Sequence, residues 1–265
     1  MKDLEIYCVT NKRLKFLENF NYKLSWVGLD KCPEGYIQSS NKKNIHKKEK
    51  FYSELTFHYW YWKNILDLKI NNWVGFCQKR RFWIKKNYNY SSSEIKNSLI
   101  TEPNSEWSKY DVILCEPIKV NNVKKIKMIK RGFRSIIKDP RIFFNKNKQS
   151  LKFHFDMHHG YGNIEKAITQ LDQKERNDFL RFLNENTSFN PHIMCITKPK
   201  ILNKWFEELF GWLEKCETIF ELDKLEGYDT QRLFAYLAER YMSFWFNKYY
   251  KVLNWPWTFY EDSKN

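Results

Sequence analysis

The 265-residue chain lacks the short motifs that usually announce a chemistry. It has no G-x-G-x-x-G, no G-x-x-x-x-G-K-[ST] and no G-x-S-x-G, which weakens dinucleotide-enzyme, P-loop and α/β-hydrolase readings. No helix-turn-helix or RNP signature stands out, and the basic residues are spread along the chain rather than set on one short helix. No apolar run reaches about 18 residues, so no transmembrane helix is expected. Met1 to Thr10 carries acids and only a short apolar stretch, which does not fit a signal peptide. Six cysteines, at 8, 32, 77, 115, 195 and 216, form no C-x-x-C pair. That spacing argues against a zinc site and for buried, reduced thiols in a cytoplasmic protein.

Aromatic and cationic residues are what the chain has in quantity. Aromatics make up 18% of it, hydrophobic residues 42%, and the formal net charge is +15. A core for one large or two small domains is therefore available. The charge implies an anionic partner: nucleic acid, an anionic membrane surface or a phosphorylated ligand. Charge alone does not choose among them.

Apolar runs that predict strands alternate with stretches of helical period, so the fold class is α/β. Strands are expected at 4–9, 72–77, 110–115 and 189–197. Helices are expected over 54–66 with Ser53 as N-cap, around Ser93 to Leu99, and over 164–184, 199–220 and 230–249. Residues 38–50 read as a polar loop. The Lys- and Arg-rich stretch 119–148, broken by Gly132 and Pro140, reads as an excursion or lid. No linker or internal repeat is visible, so a single domain over 1–265 is expected, with a nucleotide-binding half over 1–118, the basic excursion over 119–150 and an acceptor-side half over 151–265.

The densest information lies between Phe51 and Trp83. Glu54 opens an aromatic helix, where it is either an acid with a task or a partner for the helix dipole. The strand Trp73 to Cys77 runs into Gln78-Lys79-Arg80-Arg81. Ligands of open α/β sheets sit beyond the carboxyl ends of strands, and Arg and Lys there suit a diphosphate; a solvated basic turn is the plainer reading. His154, Asp156, His158 and His159 gather three of the six histidines. If that segment is extended, His154, Asp156 and His158 share a face, fit for a metal or a general base; a polar, partly buried loop is the plainer reading. Glu239-Arg240, on the last long helix, is either a local charge pair or part of a site.

These residues resemble a known family, the bacterial polysaccharide-locus proteins catalogued as domain of unknown function 4422, nearly end to end. Ile6-Tyr7-Cys8-Val9-Thr10-Asn11-Lys12 is similar to the family's opening strand and its Thr-His-Lys loop. Glu54-Leu55-Thr56 followed by Tyr59-Trp60-Tyr61-Trp62-Lys63-Asn64 is similar to its most recognisable motif. Val74 to Phe82, Tyr110 to Leu114, and Gln231-Arg232 with Tyr236 to Arg240 and Trp245 resemble its later strands and C-terminal helix. The chain departs from the pattern at Asn41 to Ile45, where the family has an acid, at Gln78-Lys79, where it has His-Tyr, and at Ile193-Met194, where it has Asn-Met.

The resemblance implies a GT-A-like (Rossmann-like) glycosyltransferase with a mixed central sheet flanked by helices, acting in capsular or lipopolysaccharide synthesis. It implies a nucleotide-sugar donor, with a UDP-sugar as the expected class, and a glycan or lipid-linked acceptor. A divalent Mn or Mg ion is left open, since Gln78 to Arg81 stand where such enzymes carry Asp-x-Asp. Donor-binding candidates are Thr10, Asn11, Lys12, Glu54, Gln78, Lys79, Arg80, Arg81 and Arg240. Candidates for taking the acceptor proton are Asp156, His158, His159 and Glu239. Contact with an anionic membrane is compatible with the basic stretch 119–148, and no stable nucleic-acid partner is expected. The competing readings are a basic nucleic-acid-binding protein and a sugar-binding scaffold without catalysis.

Overall fold

A computed structural model describes residues 3–86 and 95–261. In chain order the elements are β1 (Leu4–Thr10), β2 (Lys23–Trp26), β3 (Ile37–Gln38), α1 (Glu49–Tyr52), α2 (Leu55–Asn64), β4 (Trp73–Gln78), β5 (Arg81–Trp83), α3 (Ile95–Ser98), β6 (Val112–Cys115), β7 (Ile118–Lys119), α4 (Lys125–Lys138), α5 (Arg141–Phe144), α6 (Leu151–His159), α7 (Asn163–Ile168), α8 (Gln173–Glu185), β8 (Ser188–Phe189), β9 (Cys195–Thr197), α9 (Pro199–Glu217), α10 (Tyr228–Gln231), α11 (Leu233–Tyr249), β10 (Val252–Trp255) and β11 (Trp257–Phe259). They fall into two compact units. The first comprises Met1–Glu116, His192–Glu208 and Phe246–Asn265; the second comprises Pro117–Pro191 and Leu209–Trp245. The basic stretch 119–148 belongs to the second.

The first unit is built on a mixed sheet in the order β10-β6-β9-β4-β1-β2-β3, extended by β5 and β11. β1 runs parallel to β2 and β4, and β10 parallel to β6, while β9 lies antiparallel between β4 and β6. β1 and β4 are buried almost throughout, which is why they read as unbroken apolar runs rather than alternating ones. Residues still alternate between the faces. Leu4, Ile6, Cys8, Trp73 and Cys77 enter one core with Trp83, Trp107 and Trp255. Tyr7 and Phe76 point the other way, onto Phe57 and Tyr61 of α2. Gly75 leaves room for the antiparallel neighbour β9, since a Cβ there would lie 2.7 Å from Ile196 Cγ1.

Helix α2 has no polar face because it is covered on two sides. Leu55, Thr56, Phe57, His58, Trp60 and Tyr61 are all buried. The sheet covers one side, and the start of α9 the other: Phe206 lies against His58, and the Trp62 Nε1–H donates to Asn203 Oδ1 at 2.8 Å. Ser53 does not cap this helix. It takes φ 51° between α1 and α2, and Glu54 occupies the N-cap position with no side-chain capping bond. The polar stretch 38–50 is not a bare loop either, since it enters α1 at Glu49. Of the helix expected around Ser93 to Leu99, the described part is α3, Ile95–Ser98; Ser93 itself lies outside the described residues.

In the second unit, α8 and α11 face each other through aromatic rings, with Phe179 stacked on Phe244 at 4.9 Å and edge-on to Tyr241 at 5.2 Å. The run expected as one helix over 164–184 is two, α7 and α8, because Asp172 caps a fresh N-terminus by accepting from the Glu175 N–H at 3.0 Å. The strand expected over 189–197 is likewise two short strands, β8 and β9. Cys8, Cys77, Cys115, Cys195 and Cys216 are buried thiols, Cys32 is half-buried, and all six are unbridged.

Helix α4 reaches α6 at Gly132, where a Cβ would stand 2.7 Å from Phe153 Cε2 and 3.0 Å from Met157 Cγ. Gly132→Val is expected to destabilise the second unit by about 1–3 kcal/mol through overpacking. A urea midpoint at or above that of the unsubstituted chain would show that α4 does not need this close approach.

Candidate functional site

The sheet places the two loops singled out in the sequence side by side. β1 and β4 are parallel neighbours in register, Val9 opposite Gln78, so Thr10-Asn11-Lys12 and Gln78-Lys79-Arg80-Arg81 leave the same carboxyl edge. Thr10 shapes the first loop: its Oγ1 donates to the Lys12 carbonyl at 2.6 Å and accepts from the Lys12 N–H at 2.9 Å. The Lys79 ammonium donates to Asn11 Oδ1, tying the two loops together. The Gln78 amide donates to Glu54 Oε1, which brings the first residue of the aromatic motif to the same edge. Asn11 and Glu54, far apart in sequence, are thus each hydrogen-bonded to one of the consecutive residues Gln78 and Lys79, a polar strand-end cluster made of two bonded pairs.

Arg80 and Arg81 turn elsewhere. Both guanidinium groups lie over the Phe259 ring, at 5.7 and 5.8 Å, and Arg80 pairs with Glu261 at 3.2 Å. Arg81 is drawn there because it belongs to β5, which pairs with β11. A run of three cations in the sequence is thus split by the strand turn into one member on the Asn11 side and two against the C-terminal strand.

The histidine segment is not extended. It is helix α6, capped by Ser150, whose Oγ accepts from the Phe153 N–H at 3.3 Å. Helical spacing puts His154 and His158 on one face, with ring centroids 4.7 Å apart, and sends Asp156 to another. Asp156 is a buried anchor: its Oδ2 accepts from Lys152 at 2.9 Å and its Oδ1 from the Gly162 N–H at 3.0 Å. Burial raises its carboxyl pKa, with the Lys152 charge opposing. His159 is buried and stacked on Tyr236 at 3.7 Å. His158 is half-buried, with its Nδ1 3.4 Å from Arg131 Nη1.

Glu239 and Arg240 do meet, although they are neighbours on α11: the Arg240 Nη1–H donates to Glu239 Oε2. Arg240 is 1% exposed, its guanidinium carbon 3.6 Å from the Phe189 ring centroid and its Nη2 3.2 Å from His154 Nδ1. Burial pushes the His154 pKa down to about 2, and the Arg240 charge adds to it. His58, inside α2, is not among the candidates that the sequence offers. Burial alone holds its pKa down at about 3. Its only sequence signal is its place inside an aromatic run, a histidine where every neighbour is apolar or aromatic.

Among the described residues no group of three or more His, Cys, Asp or Glu side chains is arranged to hold a metal ion. The strand-end cluster offers one carboxylate, Glu54, already accepting from Gln78, and one ammonium, Lys79, donating to Asn11. This donor set fits an anionic ligand and does not fit a resident divalent ion. A separate cleft of about 590 Å³, lined by Tyr7, Tyr22, Lys23, Tyr36 and Ile65 among others, includes none of the cluster residues. Among the described residues no helix is long and apolar enough to cross a membrane.

No curated protein matches the chain. Among solved structures, the apo structure of WbbM, a bifunctional glycosyltransferase, is similar, with a TM-score of 0.74 and 18% identity over 98% of this chain and 45% of that one. This chain thus spans less than half the length of that protein, and the likeness is one of fold. Residues 5–250 match the family described as "Domain of unknown function (DUF4422)". A match over so much of a 265-residue chain places it: the protein is a member of the DUF4422 family.

Proposed function

We propose that this protein is a glycosyltransferase of GT-A type, moving a sugar from a nucleotide donor, a UDP-sugar by expectation, to a glycan or lipid-linked acceptor of a surface polysaccharide. The observation that carries the proposal is the strand-end cluster, in which Asn11, Glu54, Gln78 and Lys79 meet at the carboxyl edge of β1 and β4. That edge is where open α/β sheets take nucleotides. The fold-level likeness to a bifunctional glycosyltransferase supports the same reading.

Lys79 places a compact positive charge where the diphosphate bridge would lie, and its ammonium, with three donors, stabilises the charge that grows on the departing nucleoside diphosphate. Asn11 fixes the direction of that ammonium. Glu54, held by Gln78, is the cluster's acceptor for the hydroxyls of the transferred sugar. In this arrangement the Lys79 ammonium does the charge stabilisation at the diphosphate, so binding of the nucleotide is expected to persist without added divalent ion.

Thermal denaturation with UDP, GDP, CMP and their sugar conjugates, each with and without Mn²⁺, tests the proposal, because a ligand of the native state raises Tm by mass action. One nucleotide is expected to raise Tm with little dependence on Mn²⁺, and no rise with any of them defeats the donor site. Lys79→Ala is expected to weaken binding of that nucleotide about tenfold, the order of one charge-assisted hydrogen bond. Arg81→Ala, on the Phe259 side, is expected to change it less than threefold, within the range of about 0.5 kcal/mol seen for peripheral substitutions. The reverse ranking, measured by isothermal titration, would move the diphosphate away from Lys79.

A further inference from the structure

Helix α4 carries two apolar faces, and only one of them is covered. Met128, Gly132 and Ser135 are buried, with Met128 in a small core with Ile142, Phe153 and Met157. Ile126, Ile129, Phe133 and Ile137 remain 70%, 57%, 51% and 74% exposed. At about 100° per residue these four lie within an arc of roughly 80°, a continuous stripe about 16 Å long. Lys127, Lys130, Arg134 and Lys138, all exposed, line one border of the stripe. No acidic residue occurs from Lys119 through Lys138.

We propose that this face of α4 is a membrane-contact surface, which lies flat on an anionic bilayer with Ile126, Ile129, Phe133 and Ile137 among the acyl chains and the flanking cations on the headgroup phosphates. An apolar stripe bordered by Lys and Arg is the pattern of helices that lie in the interface plane. Charge complementarity selects this occupant. A second copy docking antiparallel through the same face would set the two basic borders against each other. An anionic lipid surface neutralises them, and each cation near such a surface adds to the affinity. Helix α4 is too short and too charged to span the bilayer, so the contact is peripheral.

Sedimentation of the full chain with vesicles tests this directly. Vesicles of phosphatidylcholine with roughly 30% phosphatidylglycerol represent the anionic surface. The chain is expected to pellet with these, to pellet weakly with phosphatidylcholine alone, and to be released as salt rises, since the Debye length falls to about 3 Å at 1 M. Ile129→Asp with Phe133→Asp is expected to reduce the bound fraction at least about tenfold, because a charge at these depths opposes insertion. Lys127→Glu with Lys130→Glu is expected to abolish the preference for phosphatidylglycerol. All four side chains are exposed, so Tm and the far-ultraviolet circular dichroism are expected to stay unchanged and confirm folded variants. Equal, weak pelleting with both vesicles overturns the proposal. So does a chain that ignores vesicles and forms a dimer lost in the Ile129→Asp, Phe133→Asp variant. Vesicle binding involves no nucleotide, so its outcome is separate from that of donor binding at the strand-end cluster.

Discussion

Arg240→Met is expected to destabilise the second unit by about 3–5 kcal/mol, the range for removing one partner of a buried ion pair. The guanidinium is 1% exposed and Glu239 15% exposed, so little water reaches either charge once the other is gone. Arg240 also holds van der Waals contact with Phe189 and lies beside His154, so its loss opens a gap as well as removing its ion pair with the Glu239 carboxylate. Glu239→Gln removes the same ion pair from the other side and leaves a desolvated guanidinium whose pKa burial already lowers. It is expected to be of similar size. The double variant Glu239→Gln, Arg240→Met is expected to lose clearly less than the sum, because the ion pair broken by the first change cannot be lost again by the second. Urea unfolding of the four proteins reads the cycle. Additive losses would mean that the two side chains stabilise the unit independently and that the contact is incidental.

Acid is expected to weaken both units well before the carboxylates titrate. His58 and His154 are neutral in the folded chain, with pKa values of about 3 and about 2, and regain an ordinary histidine pKa near 6.5 on unfolding. Below about pH 6.5 the unfolded chain therefore binds protons that the folded chain refuses. Stability is full above that pH and falls on acidification, with a slope of up to about 1.4 kcal/mol per pH unit for each ring. From pH 7 to pH 5 each contributes a loss of about 2 kcal/mol. In the second unit Asp156 opposes this, since burial raises its carboxyl pKa and the folded state then gains from protonation. His58, buried against Phe76 at 4.3 Å, is the cleaner sensor. His58→Leu is expected to flatten the pH dependence of unfolding between pH 7 and 5, and a slope unchanged by that substitution would assign the acid sensitivity to other groups.

The sequence by itself determined much of the scaffold. β1, β4, β6, α2, α9 and α11 all lie where their apolar runs or helical periods placed them. Those segments are buried on enough sides that local pattern and tertiary demand agree. It also brought Asn11, Glu54, Gln78 and Lys79 forward as candidates, because strand-end loops and an acid at the start of an aromatic helix are visible without coordinates. The histidine segment departs from the extended form for a definable reason. His154-Phe155-Asp156-Met157-His158 alternates polar and apolar like a strand, but the same residues also satisfy an i, i+4 spacing, and only the Ser150 cap and the packing of Phe153 and Met157 on α4 decide for a helix.

Tertiary structure decided everything that depends on which neighbour arrives. β9 enters antiparallel between β4 and β6, which the three residues Cys195 to Thr197 cannot encode on their own. Lys79 and Arg81 are two positions apart in sequence, but β5 pairing with β11 carries Arg81 to Phe259 while Lys79 reaches Asn11. On α4 the sequence shows apolar residues interleaved with cations; contact with Phe153 and Met157 takes one face and leaves Ile126, Ile129, Phe133 and Ile137 to solvent. Local pattern fixes the period of an element and the charge it carries. Burial, and with it the pKa of His58, the counter-ion of Arg240 and the open face of α4, is a property of the assembled neighbours.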